Sequence, residues 1–415
     1  MKAGELDLSV AAVFDEGFPH AYFKMLRAEA PVCWHPEKDG PGHWAITRYD
    51  DLKFASRNPL IYSSWLGGTT VRDMPPEHLD RSRAIMLNMD PPQHAKYRRL
   101  VQRGFTPRMI NQLGQHIREV AKEIVDRIAP RGECEFVSEV AAQMPMQVIC
   151  EMMGVPEEDR LQIYELSNRL IGFDDPEYQQ KNADGIETGI AASIEMFLYA
   201  SKLSERAKRA PMDDIVTTLV SADVEGEKLS ELDFNSFFLL LAVAGNETTR
   251  TGTSQGVRLL AEHPEQRERL VRDPKLIATG IEEIVRFNPP VMYFRRTATQ
   301  DTELRGVKIK EGDKVTMWYP SVNRDEGVFR DADSFDVGRS PNEHLGFGIG
   351  EHFCLGASLA RLELIIIFEE LLRRVPDMRV EGPVRHLRSN LIDGVKEMHV
   401  VFTPEGRGKT VSVPR

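Results

Sequence analysis

The chain has 415 residues, of which 41% are hydrophobic and 28% charged, and its formal net charge at pH 7 is −11. This composition is that of a globular protein with enough apolar mass for a large core, and the negative charge disfavours nucleic acid or an anionic membrane as the main partner. The longest strongly apolar run, from Phe237 to Gly245, is far shorter than the roughly 20 residues of a membrane span. We therefore expect neither nucleic-acid binding nor a transmembrane anchor.

The N-terminus and the cysteines indicate the cellular compartment. The segment MKAGELDLSV carries acidic residues and lacks the pattern of a secretory signal peptide. The cysteines, Cys33, Cys134, Cys150 and Cys354, are too few and too irregularly spaced for a disulfide framework in so long a chain. Together these features predict a cytoplasmic protein.

Helical patterns dominate the chain up to about residue 286. The segment 42–59 predicts a strand, a turn and a helix, and apolar residues at spacings of three and four predict helices from Gln93 to Leu170. A long, largely apolar helix is predicted from about Asp233 to Glu262. From Arg295 to Tyr319, alternating residues between Gly and Asp turns predict hairpins, and the tail from Arg385 to Thr403 is again strand-like. We therefore predict a mainly α fold, with a large helical region, a small β-rich region and no linker that divides them.

The segment HLGFGIGEHFCLG, from His344 to Gly356, combines a flexible loop with a single sulfur. Glycine lets a backbone turn freely and approach a flat ligand closely. A helix is predicted directly after Cys354, and a helix N-terminus favours an anionic sulfur and lowers the pKa of a thiol. Cysteine thiolate is an axial haem ligand in one class of enzymes, whereas a zinc site would need further ligands at close spacing. A buried, inert cysteine is the alternative, and it leaves the glycines and His352 without a role.

The residues FGIGEHFCLG resemble the haem-binding signature of the cytochrome P450 family, which is Phe, two residues, Gly, one residue, Arg or His, one residue, Cys, one residue and Gly. The resemblance extends over nearly the whole chain and implies that residues 1–415 form a single domain with the cytochrome P450 fold. It also implies haem b as the cofactor, with Cys354 as the axial thiolate ligand of the iron. The cofactor-binding residues that it implies in this loop and in the long helix are Phe347, Gly348, Gly356 and Ala244.

A second segment, AVAGNETTRTG from Ala242 to Gly252, lies within the long predicted helix. A threonine hydroxyl in a helix can bond to the carbonyl four residues earlier, which bends the helix, and Gly245 leaves room for a small guest. Glu247 and Thr248 would place a proton source beside an alcohol, a geometry that general acid catalysis requires. A kinked helix with a solvated glutamate is the alternative. AGNETT resembles the oxygen-activation motif of cytochromes P450, which implies catalytic roles for Glu247 and Thr248.

Glu283 and Arg286 lie three residues apart in EEIVRF. This spacing alone predicts only a weak ion pair on a helix surface. The two residues match the Glu-x-x-Arg motif of the family, which is structural and buried near the cysteine loop. Arg339, in the segment before that loop, is the candidate for a third member of this group.

Four basic residues lie where the family binds the two haem propionates. His94 and Arg98 are four residues apart and can point at one anion, while Arg296 and His352 come from YFRRTATQD and from the cysteine loop. Arginine is suited to bidentate contact with a carboxylate. A surface cation is the alternative for each residue taken alone. The resemblance implies that these four residues bind the propionates.

The resemblance implies monooxygenation, in which one atom of O2 enters an unactivated C–H bond and the other is reduced to water. The electrons would come from NAD(P)H through a ferredoxin reductase and a ferredoxin. The closer likeness is to actinobacterial members that act on methyl-branched lipids, isoprenoids and sterol side chains, and it predicts hydroxylation at or near a terminal carbon. The candidates for a basic patch that binds the ferredoxin are Lys96, Arg99, Arg103 and Arg361.

Apolar segments near these motifs predict the substrate pocket, although apolar residues form plain core more often than a pocket. Three other functions stay open: a P450 that tailors terpene or polyketide natural products, a peroxide-driven haem enzyme, and a non-catalytic haem sensor. The pair of Glu247 and Thr248 argues against the last two. The residues expected to bind substrate are Trp65, Leu66, Val71, Leu240, Val243, Val291 and Met292, with Ile171, Phe173 and Leu391 as further candidates.

Overall fold

Helices form most of the structure, as the sequence predicts. The structure is a computed structural model that describes residues 2–105, 107–211, 215–221, 223–224 and 227–406. Within these residues, none of the helices combines the length and the hydropathy that a membrane span requires. The α-helices of the described residues are α1 (His20–Glu29), α2 (Tyr49–Arg57), α3 (Pro76–Ser82), α4 (Gln93–Val101), α5 (Pro107–Ile128), α6 (Gln143–Met152), α7 (Arg160–Ile171), α8 (Gly185–Arg209), α9 (Ile215–Val220), α10 (Glu231–Glu262), α11 (Pro264–Arg272), α12 (Ile277–Phe287), α13 (Tyr319–Val322) and α14 (Ala357–Arg374).

The strands are short and form a small β-rich region. Over the same described residues they are β1 (Val32–His35), β2 (His43–Ile46), β3 (Tyr62–Ser63), β4 (Glu133–Glu135), β5 (Asp223–Val224), β6 (Glu227–Lys228), β7 (Tyr293–Ala298), β8 (Thr302–Leu304), β9 (Val307–Ile309), β10 (Lys314–Trp318), β11 (Arg379–Val380), β12 (Arg385–His386), β13 (Val395–Glu397) and β14 (His399–Val401). The largest sheet has the order β1-β2-β10-β7-β3, in which β2 and β10 are parallel and the other neighbours antiparallel. Smaller sheets join β11, β14 and β4, and pair β12 with β13, β5 with β6 and β8 with β9.

The segment from β7 to β10 forms the predicted hairpins. β8 and β9 pair through a two-residue turn in which Arg305 and Gly306 have φ angles of 52° and 78°, as a tight turn of the type I′ class requires. β7 and β10 pair around this hairpin. Because side chains alternate along a strand, Phe294 and Arg296 point to the same face of β7.

Helix α10 runs through the main apolar core. A capping box starts it: the Ser230 hydroxyl accepts from the backbone N–H of Asp233, 3.1 Å away, and the Asp233 carboxylate accepts from the N–H of Ser230, 3.0 Å away. The helix therefore begins at Glu231, slightly before the predicted start, and it ends at Glu262 as predicted. Helices α6, α7, α8, α12 and α14 pack against it, so polar residues in its middle are buried.

Candidate active site

An internal cavity of about 250 Å³ lies where α10, α14 and the loop before α14 meet. The α10 residues that line the cavity include Leu241, Ala244, Thr248 and Gly252, which follow one another at intervals of three or four. Residues at these intervals share one face of the helix. The cavity also brings together residues that are far apart in the chain. Its lining includes these predicted cofactor and catalytic residues: His94, Arg98, Ala244, Thr248, Arg296, Phe347, Gly348, His352, Cys354 and Gly356.

The loop before α14 folds back on itself and presents Cys354 to the cavity. The backbone N–H of Cys354 donates to the carbonyl of Phe347, 2.9 Å away, and Gly348 and Gly350 have φ angles of 71° and 80°. These angles lie in the left-handed region, where a residue with a Cβ is strained. A Cβ at Gly350 would also meet the carbonyl oxygen of Ser56 at 2.7 Å. Glycine is therefore required for this loop to bring the cysteine to the cavity.

Cys354 is half-buried and lines the cavity. Burial raises the pKa of the thiol, and the N–H of Gly356 and the charges of Arg98 and Arg361 offset only part of this rise. The N-terminus of α14 lowers this pKa as expected, through the N–H of Gly356, but in the protein chain alone desolvation exceeds the favourable contacts. A metal deprotonates a thiol that coordinates it, so the thiolate form depends on the bound metal.

Within the residues that the structure describes, the basic residues at the cavity have no carboxylate in an ion pair with them, although buried cations usually have such a partner. Arg296 is 4% exposed and donates to the carbonyl of Arg295, 2.8 Å away, but neither Arg296 nor Arg98 forms an ion pair within the described part of the chain. The rings of His94 and His352 lie 4.2 Å apart. Burial lowers the pKa of both Arg98 and Arg296. Burial and the nearby arginine charges lower the pKa of His94 to about 4. The same causes lower the pKa of His352 well below its usual range.

This set of side chains fits haem. The two propionates would supply the negative charges that the crowded basic residues lack. The described residues contain no group of three or more His, Cys, Asp or Glu side chains that could hold a metal ion by themselves. A single cysteine ligand suits an iron whose other ligands come from a porphyrin. A Cβ at Gly356 would meet no atom within 4 Å, so the cavity is open beside Cys354.

Thr248 and Glu247 have different surroundings although they are neighbours on α10. The Thr248 hydroxyl donates to the carbonyl of Ala244, 2.6 Å away, which is the predicted bond to the residue four positions earlier. Thr248 and Ala244 both line the cavity. Glu247 is buried and forms an ion pair with Arg250, one turn later on the helix. It does not belong to the cavity lining. The structure thus places the alcohol at the cavity and the acid outside its wall.

Comparison with known proteins identifies the family. A family model described as Cytochrome P450 matches residues 68–375. The chain belongs to the cytochrome P450 family. It is 42% identical over 413 residues to the Steroid C26-monooxygenase of Rhodococcus jostii, and the match covers 97% of this chain and 86% of that protein. It is also 42% identical over 401 residues to the Methyl-branched lipid omega-hydroxylase of Mycobacterium tuberculosis, and this match covers 94% of this chain and 92% of that protein.

A solved P450 structure has the same fold. Cytochrome P450 CYP268A2 of Mycobacterium marinum, in complex with pseudoionone, matches with a TM-score of 0.89 and 38% sequence identity, and the match covers 97% of this chain and 99% of that one. The predicted fold, the haem cofactor and the class of reaction are therefore confirmed. This P450 is a monooxygenase that uses haem.

In this P450 the Glu-x-x-Arg pair is buried rather than on the surface. The side chains of Glu283 and Arg286 are both 0% exposed and are joined by two bonds of 2.7 and 2.8 Å. Arg339 donates to both carboxylate oxygens of Glu283 at 3.1 Å. Arg286 also donates to the carbonyls of Asn323 and Ala332, each 2.8 Å away. The three predicted residues therefore lie together and connect α12 to the segment before the cysteine loop.

The P450 cavity contains two of the predicted substrate residues and several that sequence reasoning missed. Leu240 on α10 and Val291 just before β7 line it. So do Phe237 and Leu241 on α10 and Phe294 on β7. The missed residues had a signal in the sequence: Phe237 and Leu241 precede Thr248 on the same helix face, and Phe294 lies two residues before Arg296 on the same strand face.

The other predicted substrate residues lie elsewhere in the P450. Val71 and Met292 are each 1% exposed and belong to a separate apolar cluster around Trp318. Val243 and Trp65 pack against the main core. The remaining candidates, none of which lines the cavity, are Leu66, which is exposed, and Ile171, Phe173 and Leu391.

Glu363 on α14 is a further cavity residue that sequence reasoning missed. Burial raises the pKa of its carboxyl to about 8, and a hydrogen bond with Thr249 on α10 offsets part of the rise. A carboxylate in the apolar run LELIIIF was the available signal, since an acid is rarely buried without a partner. At neutral pH this side chain is largely neutral.

Proposed function

We propose that this P450 hydroxylates the terminal methyl carbon of a lipid with a branched end, such as a methyl-branched lipid, an isoprenoid or a sterol side chain. The observation that carries the proposal is the apolar wall beside Thr248, where Leu240, Leu241, Val291 and Phe294 line the cavity. The relatives support it, because they are named for the C26 position of a steroid and for the omega end of methyl-branched lipids.

The charges at the cavity agree with an apolar reacting end. Among the described residues, the acidic and basic side chains in the lining are the four basic ones that would bind the propionates and Glu363 on α14. Burying apolar surface contributes about 25 cal/mol per Å², so a long apolar ligand can bind tightly without a polar anchor near the haem. A terminal methyl group is the least reactive position of a chain, so selectivity for it requires side chains that restrict how the substrate enters.

A polar head group of the substrate would lie far from the haem, near Arg72 or Trp65 in the loop that begins at residue 64. Arg72 is ion-paired with Asp174, 2.7 Å away, and also donates to the carbonyl of Ser9 at 3.3 Å. An anionic head group would have to displace Asp174 from this pair. The proposed head group is therefore a neutral one, a hydroxyl or a ketone.

The residues of the site would have different roles. Cys354 would hold the iron, while His94, Arg98, Arg296 and His352 would hold the propionates. Bound haem supplies the activation of O2. Thr248 would keep a hydroxyl proton at the cavity, and Glu247 would supply protons to that position. Phe347, Gly348, Gly356 and Ala244 would shape the space around the cofactor.

Product analysis tests the proposed substrate. The haem-loaded enzyme would be reconstituted with a ferredoxin reductase, a ferredoxin and NADH, and given a branched isoprenoid, a sterol with its side chain and a linear chain of the same length as the isoprenoid. We expect one main product hydroxylated at a terminal carbon, and faster turnover of the branched substrates. Products spread along the middle of the chain, or a preference for a small polar aromatic compound, would contradict the proposal.

We also propose that the electron donor is a ferredoxin that docks beside α4. Arg99 is exposed on this helix, which also carries His94 and Arg98 at the cavity. Arg361 is not a suitable docking residue, because it donates to both oxygens of Glu282 at 2.6 and 2.8 Å. The side chain of Arg103, another predicted docking residue, lies outside the described residues, and Lys96 stays a candidate.

Charge reversal tests this docking surface. Arg99→Glu should slow reduction by ferredoxin but not by dithionite, and the difference should shrink as salt screens the charges. Arg272→Glu, an exposed position on α11, is the matched control and should leave both rates unchanged. Equal reduction by ferredoxin in Arg99→Glu and in the control would exclude α4 as the docking surface.

Two broader assignments are also proposals. A single P450 domain over residues 1–415 is supported by the relatives, which match 94% and 97% of the chain. A cytoplasmic location is supported by the cysteines, since Cys33, Cys134, Cys150 and Cys354 are all free thiols.

A further inference from the structure

Glu247 is held by a partner on its own helix. Its carboxylate forms an ion pair with Arg250, and each of the two side chains is only 2% exposed. The hydroxyl of Thr251 donates to the same carboxylate at 3.4 Å. Thr248, by contrast, faces the cavity. The position of the acid is therefore set by contacts on a side of α10 that does not belong to the cavity.

Arg250 extends these contacts to helix α7. One guanidinium nitrogen donates to the amide oxygen of Asn168 at 2.9 Å and to the hydroxyl of Tyr164 at 3.1 Å. The guanidinium carbon lies 5.7 Å from the centre of the Tyr164 ring. Burial acts against the charge of Arg250, but Glu247, Tyr164 and Tyr178 raise the pKa of the guanidinium above its usual range. Arg250 thus stays charged, and Glu247 is the carboxylate that balances it.

The same contacts lead to the segment 172–184 between α7 and α8. Tyr178 of this segment lies close enough to Arg250 for the two to interact electrostatically. Asp174, also in this segment, is ion-paired with Arg72 of the loop that begins at residue 64. Arg250 therefore connects the acid beside Thr248 to α7 and to a segment that is joined to the loop that begins at residue 64.

We propose that Arg250 is a positioning residue for Glu247, and that Asn168 and Tyr164 on α7 help it to set where the carboxylate lies. Removing one member of a buried ion pair leaves the other charge uncompensated, so Glu247 is held beside Arg250, whose other contacts are Tyr164 and Asn168 on α7. Each turnover takes up two electrons and two protons, as one oxygen atom enters the C–H bond and the other leaves as water. Arg250 thereby controls how efficiently these protons reach Thr248. The inference rests on the proposed role of Glu247 in proton supply.

A double-mutant cycle tests whether Arg250 acts through Glu247. Arg250→Gln, Glu247→Gln and the double variant would be compared by the product formed and the hydrogen peroxide released per NADH consumed. We expect Arg250→Gln to lower the product per NADH several-fold, with an unchanged spectrum of the reduced carbon monoxide complex. In the Glu247→Gln background the same change should have no further effect. Arg250→Lys keeps the charge, so its product yield per NADH should lie between that of Arg250→Gln and that of the wild type.

The outcomes separate this inference from the proposed role of Glu247. If Glu247→Gln uncouples the enzyme but Arg250→Gln does not, or if Arg250→Gln causes the same loss in both backgrounds, the positioning role is excluded while the role of Glu247 stands. If Glu247→Gln leaves the product yield unchanged, the role of Glu247 fails, and the inference fails with it.

Variants on α7 keep the test decisive if Arg250 variants do not fold. Tyr164→Phe and Asn168→Ala each remove one bond to Arg250 and lie outside the cavity lining. We expect each to lower the product per NADH less than Arg250→Gln, and only when Glu247 is present. Arg169→Gln, which breaks a partly exposed pair with Glu195 on the neighbouring helix, is the control and should change nothing. Full product yield in both α7 variants would overturn the inference.

Discussion

Thr248 and Ala244 are joined by a hydrogen bond inside helix α10, in which the threonine hydroxyl donates to the alanine carbonyl at 2.6 Å. A side-chain donor at this carbonyl competes with the backbone N–H of the next turn and loosens the helix there. Gly245, between them in the chain, also lines the cavity, and a Cβ at this position would lie 3.1 Å from the side chain of Ile149. This turn of α10 therefore presents to the cavity the hydroxyl of Thr248 and, at Gly245, backbone without a side chain.

Removing the Thr248 hydroxyl should uncouple electron transfer from product formation. Thr248→Val keeps the shape of the side chain, so we expect substrate to bind and NADH to be consumed, with much of the flux diverted to hydrogen peroxide. Thr248→Ser keeps the hydroxyl and should retain most of the coupling. Peroxide and product would be measured together, and full coupling in Thr248→Val would show that the hydroxyl has no role in proton supply.

Replacing Cys354 should remove the thiolate ligand. Cys354→Ser should abolish the thiolate-type absorption band of the reduced carbon monoxide complex, because serine offers the iron an oxygen atom and no sulfur. Cys134→Ser and Cys150→Ser are matched controls at buried cysteines away from the cavity, and both should keep the band. Retention of the band in Cys354→Ser would rule out this residue as the ligand.

Arg296 should hold haem in place. A hydrogen bond to a charged group contributes about 1.5–3 kcal/mol, so Arg296→Gln should release haem roughly 10- to 100-fold faster, as measured by transfer to a haem-free acceptor protein. Arg295→Gln changes the adjacent residue, whose partners include Asp73 and the carbonyl of Val71. Haem release from this control should be nearly unchanged, and equal release from both variants would contradict the propionate contact.

Breaking the buried Glu-x-x-Arg pair should lower stability far more than breaking a surface pair. Glu283→Ala leaves the fully buried Arg286 without its carboxylate, and we expect a loss of about 3–5 kcal/mol in the free energy of unfolding. Glu268→Ala removes the exposed partner of Arg272 and should cost less than about 1 kcal/mol. Urea unfolding at equal haem content measures both values, and similar losses would exclude a structural role for the buried pair.

The buried carboxyl of Glu363 should make stability fall as the pH rises. Its pKa is about 8 in the folded chain against an ordinary value of 4.5, so the folded protein keeps a proton that the unfolded chain has released. Unfolding is therefore favoured progressively between about pH 4.5 and about pH 8. Glu363→Gln cannot titrate, and its stability relative to the wild type should increase across this window.

Urea unfolding near both ends of the window checks this dependence. Glu369→Gln, on the same helix but with a side chain 39% exposed, removes a carboxylate without removing a buried one, and it serves as the control. A constant difference between Glu363→Gln and the wild type at all pH values would show that this carboxyl does not change its protonation on unfolding.

The sequence by itself determined the features that depend on short segments. The spacing of glycines around Cys354, the bond between Thr248 and the carbonyl four residues earlier, and the extent of α10 all follow from local backbone geometry and periodicity. The sequence also determined the family, because a signature of this length leaves few other proteins that match. The four basic residues at the cavity were found in the same way, each from a matching segment.

The tertiary structure alone decided which neighbours each side chain meets. Val71 and Met292 are as apolar as Leu240 and Val291, but packing places the first two in a core cluster and the last two at the cavity. Sequence reasoning cannot separate these cases, since burial in a core and exposure to an apolar cavity select the same residue types.

Glu247 shows the same limit for a charged residue. Its position next to Thr248 in the chain predicts that acid and alcohol act side by side, but consecutive residues on a helix point about 100° apart. The packing of α7 on α10 brings Asn168 and Tyr164 to Arg250, and the buried cation takes the carboxylate as its partner. Periodicity tells which residues share a helix face, whereas only the packing of other elements decides whether that face meets a cavity, a charge or the core.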